Sequence, residues 1–102
     1  MTPLLKPLSK ADYPAQTAAF TATAGNTGNW NPGPQGVQVW ADQACYVEVG
    51  VSAVATTAST PIPANTIVHI AIPMDYSGAP WRVSAIRVSA DGNVYCKPIN
   101  KE

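Results

Sequence analysis

Residues able to do chemistry are few in this 102-residue chain, and they are scattered. The carboxylates Asp42, Glu48, Asp75 and Asp91 fall one per loop or strand. Acid–base work needs groups that converge on one bond, and no spacing here pairs them. His69 is the only histidine, with no Asp or Cys close to it in sequence. A catalytic or metal-bound imidazole needs several convergent partners, so His69 reads as a structural side chain. Serines are plentiful, but none lies in a nucleophile motif. Cys45 and Cys96 could form one disulfide, yet a cytosolic origin favours thiols. Their apolar, strand-like neighbours predict two buried, unpaired cysteines, since free Cys is among the most buried residue types. No CxxC or Cys/His cluster supports a zinc site. The expectation is no catalytic residue, no metal, no cofactor and no enzyme.

The elements that would position any such groups are strands. Gly36–Trp40, Ala44–Val51, Thr66–Ile72, Trp81–Ser89 and Asn93–Pro98 are short β-branched runs separated by Gly, Pro, Asn and Ser. Helical periodicity interrupts none of them, which predicts an all-β fold of about six to eight strands. In Ala44–Val51, Cys45, Val47, Val49 and Val51 share one face, while Tyr46, Glu48 and Gly50 share the other. Such alternation puts one face in a core and one outward. In Gly36–Trp40, Val37 and Val39 oppose Gln38 and Trp40. Thr66–Ile72 is almost continuously apolar, which predicts cover on both faces. Trp81–Ser89 changes phase: Trp81, Val83 and Ala85 lie on one face, Ile86 and Val88 on the other. Either a bulge shifts the face near Ala85 or both faces are covered. Asp91-Gly92 is a type I′ turn signal, predicting a last hairpin with Val88 opposite Tyr95.

Upstream, Thr17–Ala24 reads as a first strand and Gly25–Gln35 as a loop around Trp30. That tryptophan either plugs an end of the fold or makes an exposed contact, since Trp is enriched at interface hot spots. Residues 1–16 read as an extended arm, because Pro3, Pro7 and Pro14 prevent a helix. Leu4, Leu5, Leu8 and Tyr13 give that arm apolar anchors, docking on its own domain (17–102) or on a neighbour. Leu4, Leu5, Leu8, Tyr13 and Trp30 are therefore the candidate protein-interface residues. Ser52–Thr60, small and uncharged, reads as a flexible or interface-lying loop.

Composition narrows the partners. Charged residues make up 12% of the chain, about half the usual share. A formal net charge of zero without a basic stripe argues against nucleic acid. No run approaches the ~18 apolar residues of a membrane span, and the proline-broken start lacks the apolar region of a signal peptide. The expectation is cytoplasmic residence, or release by lysis. Interface cores are depleted in charge, so a charge-poor surface suits burial by other subunits.

A resemblance sharpens this. The order Ala44-Cys45-Tyr46-Val47-Glu48-Val49-Gly50, an Ala/Thr/Ser loop, Ile62-Pro63-Ala64-Asn65, an apolar strand, then Val83-Ser84-Ala85-Ile86-Arg87-Val88-Ser89-Ala90-Asp91-Gly92-Asn93-Val94-Tyr95 is similar to a group of small bacteriophage virion proteins. The likeness covers residues 37–95. It resembles capsid decoration, or cement, subunits and head or neck accessory proteins. The resemblance implies a non-enzymatic antiparallel β-sandwich, of which the jelly roll is one form. It implies a homotrimer on the exterior of the capsid, binding the major capsid protein of a phage head after assembly in the host cytoplasm. The competing expectation is a head-fibre, neck or tail accessory module that binds a host receptor or glycan. Trp30, Trp40, Trp81, Tyr46, Tyr76 and Tyr95 would then supply stacking platforms.

Overall fold

The computed structural model describes residues 5–7, 11, 13–32, 34–72 and 79–101, with 5–7 and 100–101 described by their backbone alone. The strands are β1 (Leu5–Pro7), β2 (Gln16–Phe20), β3 (Gly25–Asn26), β4 (Gly36–Ala41), β5 (Cys45–Gly50), β6 (Thr60–Ile62), β7 (Val68–Ala71), β8 (Arg82–Arg87) and β9 (Gly92–Lys101). No helix occurs among the described residues.

The strands form two antiparallel sheets. A front sheet runs β1-β9-β4-β7, with β2 also on β9, and a back sheet runs β3-β8-β5-β6. The pairs nest: β5 with β6, β4 with β7, β3 with β8 and β2 with β9. It is as if one long hairpin had been folded over, with successive rungs sent to opposite sheets. Eight strands in that order make a jelly roll, and the β-sandwich is of this type. β1 is an addition, since β2 occupies β9 from Gly92 to Cys96 and β1 resumes at Ile99. Pro98 lies between them, at the one stretch of this edge of β9 that neither covers. A strand residue without an N–H is tolerated there.

The core is what the alternation requires. Val37, Val39 and Ala41 of β4, with Val94 and Cys96 of β9, face Cys45, Val47 and Val49 of β5 and Val83 and Ala85 of β8. Phe20 and Ile62 join them, and Trp30 and Trp81 belong to the same cluster. Each Val, Ile or Phe among them taken from water contributes about 1.5–3 kcal/mol before entropy is counted.

Several expectations are corrected by long-range pairing. Trp81–Ser89 and Asn93–Pro98 do not form a hairpin: β8 lies in the back sheet and β9 in the front. The chain between them crosses the sandwich. Arg87 N–H donates to Thr21 O, Val88 N–H to Ala44 O and Asn93 N–H to Asp42 Oδ1, while Arg87 and Asp91 pair at 2.7 Å. Val88 therefore does not oppose Tyr95; Trp40 and Thr17 do. The first strand ends at Phe20 rather than Ala24, because the Thr21 hydroxyl accepts from Thr23 N–H and bends the backbone. Gly25 then enters the back sheet so close to the Ala19 carbonyl that a Cβ would collide with it. The stretch 25–35 also holds β3 and a Trp30–Trp81 bridge. Around β7 one face is open: Val68 and Ile70 pack on the core, whereas Ile67 and His69 are exposed.

Candidate functional site

Among the described residues, the charged and reactive groups do not converge. The imidazole Nε2 of His69 lies on the front sheet 3.4 Å from Gln38 Oε1. Asp75 falls outside the described residues, as do Leu4, Leu8 and Tyr76. Cys45 and Cys96 are unpaired and buried on opposite sheets. Burial pushes the Cys45 thiol up to about 11, helped by the charge of Asp42, and the Cys96 thiol up to about 12, helped by Cys45. Thiols held protonated in this way are poor nucleophiles. Among the described residues, no group of three or more His, Cys, Asp or Glu could hold a metal ion. No helix long and apolar enough to cross a membrane occurs among the described residues.

What the sandwich presents instead is two outer faces. The charged side chains that are described are Asp42, Glu48, Arg82, Arg87, Asp91 and Lys97. Every one is engaged inside the chain. Asp42 accepts from Asn93 N–H, Glu48 accepts from Ser59 Oγ, Arg82 Nε donates to Ala53 O, Lys97 Nζ donates to Tyr13 O, and Arg87 pairs with Asp91. The rest of the described surface carries no Asp, Glu, Lys or Arg, and it includes apolar side chains, with Val54 56% and Ile67 58% exposed.

The back face is partly roofed. Ala53 and Ala55, from the loop between β5 and β6, are buried over β8. Ala55 N–H donates at 2.8 Å to Ser84 Oγ, which is itself fully buried on the outer side of β8. This explains the phase change seen in the sequence. The β5–β8 register runs unbroken from Cys45↔Arg87 to Gly50↔Arg82, so no bulge is present and both faces of β8 are covered. The loop 52–60 is thus packed against its own domain at Ala53 and Ala55, while Val51 and Val54 point outward.

The front face carries no such roof among the described residues. Trp40 and Tyr95 are directly opposed on β4 and β9, with ring centroids 4.9 Å apart and tilted by 36°. Ala15, Gln38, Ile67 and Lys97 complete a shallow concavity around them. The outward position of Trp40 follows from its place opposite Val37 and Val39 in the alternation. Its partnership with Tyr95 rests on the β4–β9 pairing, for which the sequence carries no signal.

The candidate interface residues separate. Trp30 is 2% exposed and its Nε1–H donates to Pro14 O, so it is a core plug and not an exposed contact. Tyr13 packs against its own core, and its hydroxyl lies 3.4 Å from Pro32 O, to which it donates. Leu5 belongs to β1, which pairs with the chain's own β9. The arm therefore docks at these points on its own domain. Comparison of the chain with protein-family models, with curated proteins and with solved structures finds no match.

Proposed function

We propose that this protein is a non-enzymatic bacteriophage virion subunit that decorates and cements the assembled head. The jelly roll does not choose by itself, because that architecture serves both capsid and lectin domains. The observation that carries the reading is the scarcity of charge, 12% of the chain, with every described charged side chain held by a hydrogen bond inside the chain, together with outward Val51, Val54, Ile67 and Val88. A free monomer gains solubility from abundant surface charge. A subunit covered on assembly gains from its absence, since charges buried in an interface must be desolvated. Resemblance of residues 37–95 to small virion proteins points the same way.

A cement acts by mass action: it binds the assembled lattice and not the free capsid subunit, and so stabilises the lattice. Many copies with ordinary individual affinity then add up to a large effect. The homotrimer is part of this proposal, as it matches the three-fold positions of an icosahedral shell. The test uses heads purified with and without the protein. Heads lacking it should assemble and then break at lower temperature, and adding back purified protein should restore them. Heads equally robust without it, yet unable to attach to cells, would replace the cement with a receptor-binding module.

A further inference from the structure

The cement reading makes no use of the aromatic pair on the front face. Trp40 and Tyr95 floor a concavity of about 350 Å³, close to the lower end of small-ligand sites. Among the described residues, no group hydrogen-bonds to the Trp40 indole N–H or the Tyr95 hydroxyl. Both donors stand at the edge of their rings. Two residues away along the strands, about 7 Å, lies a polar row made by Lys97, Gln38 and His69 in register across β9, β4 and β7. Among the described residues no carboxylate lines the concavity, and the one cation there, Lys97, is engaged by the Tyr13 carbonyl.

We propose that this face is a saccharide platform for chains of all-equatorial hexopyranoses. Such a ring offers a flat face of C–H groups that stacks on aromatic rings, and its rim carries neutral hydroxyls that both donate and accept. A ring stacked on Trp40 and Tyr95 directs rim hydroxyls to the amide of Gln38 and the imidazole of His69. The free indole N–H and phenol serve the same rim. A phosphate-bearing ligand finds one cation among the described residues, already bonded. A second copy of the chain packed through this face about a two-fold axis would bring two Lys97 side chains together with no carboxylate among the described residues of the face to pair them.

The test is a titration of the isolated full chain with cellotetraose and with chitotetraose, read by NMR at the indole N–H signals. It contains no phage head, so its result is independent of the cement reading. The Trp40 signal should shift, while the buried Trp30 and Trp81 signals stay in place. Trp40→Ala or Tyr95→Ala should weaken binding about tenfold or more, Gln38→Ala by a few fold, and Tyr95→Phe by less than the alanine change. Tyr95→Ala and Gln38→Ala keep the question open to disproof should Trp40→Ala fail to fold. Two results overturn the proposal: no shift with either sugar up to about 10 mM, near the weakest binding that would matter, or binding unchanged in the Tyr95→Ala protein. Sedimentation that shows self-association abolished by Trp40→Ala, with no sugar response, would assign the face to a second copy.

Discussion

Two aromatic pairs in this chain share a geometry and differ in everything around it. Trp30 and Trp81 lie with ring centroids 4.7 Å apart and tilted by 33°; Trp40 and Tyr95 lie 4.9 Å apart and tilted by 36°. The first pair closes the sandwich. Its rings are 2% and 3% exposed, its backbones exchange two hydrogen bonds, and both indole N–H groups donate to carbonyls, of Pro14 and Asn31. The second pair stands on an outer face, with Tyr95 39% exposed and both polar ring atoms free of partners among the described residues. Ring stacking alone thus does not distinguish a core from a platform. The fate of the polar handle does: a buried indole must find an acceptor, whereas an exposed one keeps its donor for a ligand.

The largest effect should come from breaking the buried pair. Trp30→Ala removes a side chain enclosed by the core and leaves both a cavity and an unpaired Pro14 carbonyl. A loss of about 3–5 kcal/mol is expected, read as a fall in the urea midpoint. A loss under about 1 kcal/mol would mean that Trp30 is no plug.

The same interior should show itself through pH. Cys45 and Cys96 have folded-state values of about 11 and about 12 against an ordinary value of 9.0. Raised folded values mean that the unfolded thiols ionise first, so stability is full below pH 9 and falls as pH rises toward 11–12. Each thiol contributes a slope of up to about 1.4 kcal/mol per pH unit in that window. Cys96→Ala should flatten the alkaline limb. A thiol reagent should react with the native protein only as fast as it unfolds.

The roof over the back face comes next. Ser84→Ala deletes the acceptor of Ala55 N–H and leaves that donor buried, at a cost of about 1–3 kcal/mol. Proteolysis should then open the loop near Val54 before the sandwich unfolds. If cleavage in that loop is no faster than in the unaltered protein, Ser84 does not hold the roof.

How much of this was legible depends on the range of the interaction. Cys45–Gly50 and Gly36–Ala41 alternate so cleanly that their inward valines, and the outward place of Trp40, follow from period two. The sandwich itself follows from several such runs between turn residues. Sheet membership does not, because β9 chooses partners far away in the chain, β2 and β4, over its neighbour β8. Asp91-Gly92 carries a local hairpin signal, but Gly92 lies against Asp42 and Gln43, and Asp42 takes the Asn93 amide. Those contacts send the strand to the other sheet. Trp30 was ambiguous for a related reason: its burial depends on Trp81, brought to it only by the fold. The aromatic platform needed the same long-range information, since nothing near Trp40 in sequence announces Tyr95.

The smallest effect should come from the outer pair, in which Trp40 is half-buried and Tyr95 exposed, and it is the one that most sharpens the comparison. Trp40→Ala and Tyr95→Ala remove rings of nearly the same mutual geometry as the buried tryptophans, but neither leaves a cavity nor an unpaired buried group. Only the contact between the rings and part of their area against the sheet are lost, about 0.5–1.5 kcal/mol. A double-mutant cycle isolates the ring-to-ring share, because each single change removes the same contact. A coupling within that range, set beside the much larger cost of Trp30→Ala, would show that burial and not stacking makes the first pair structural. A coupling as large as the core substitution would mean that the front sheet relies on Trp40 and Tyr95 to hold β4 against β9. The pair would then be structural too, and its exposure would no longer single it out as a place where a ligand binds.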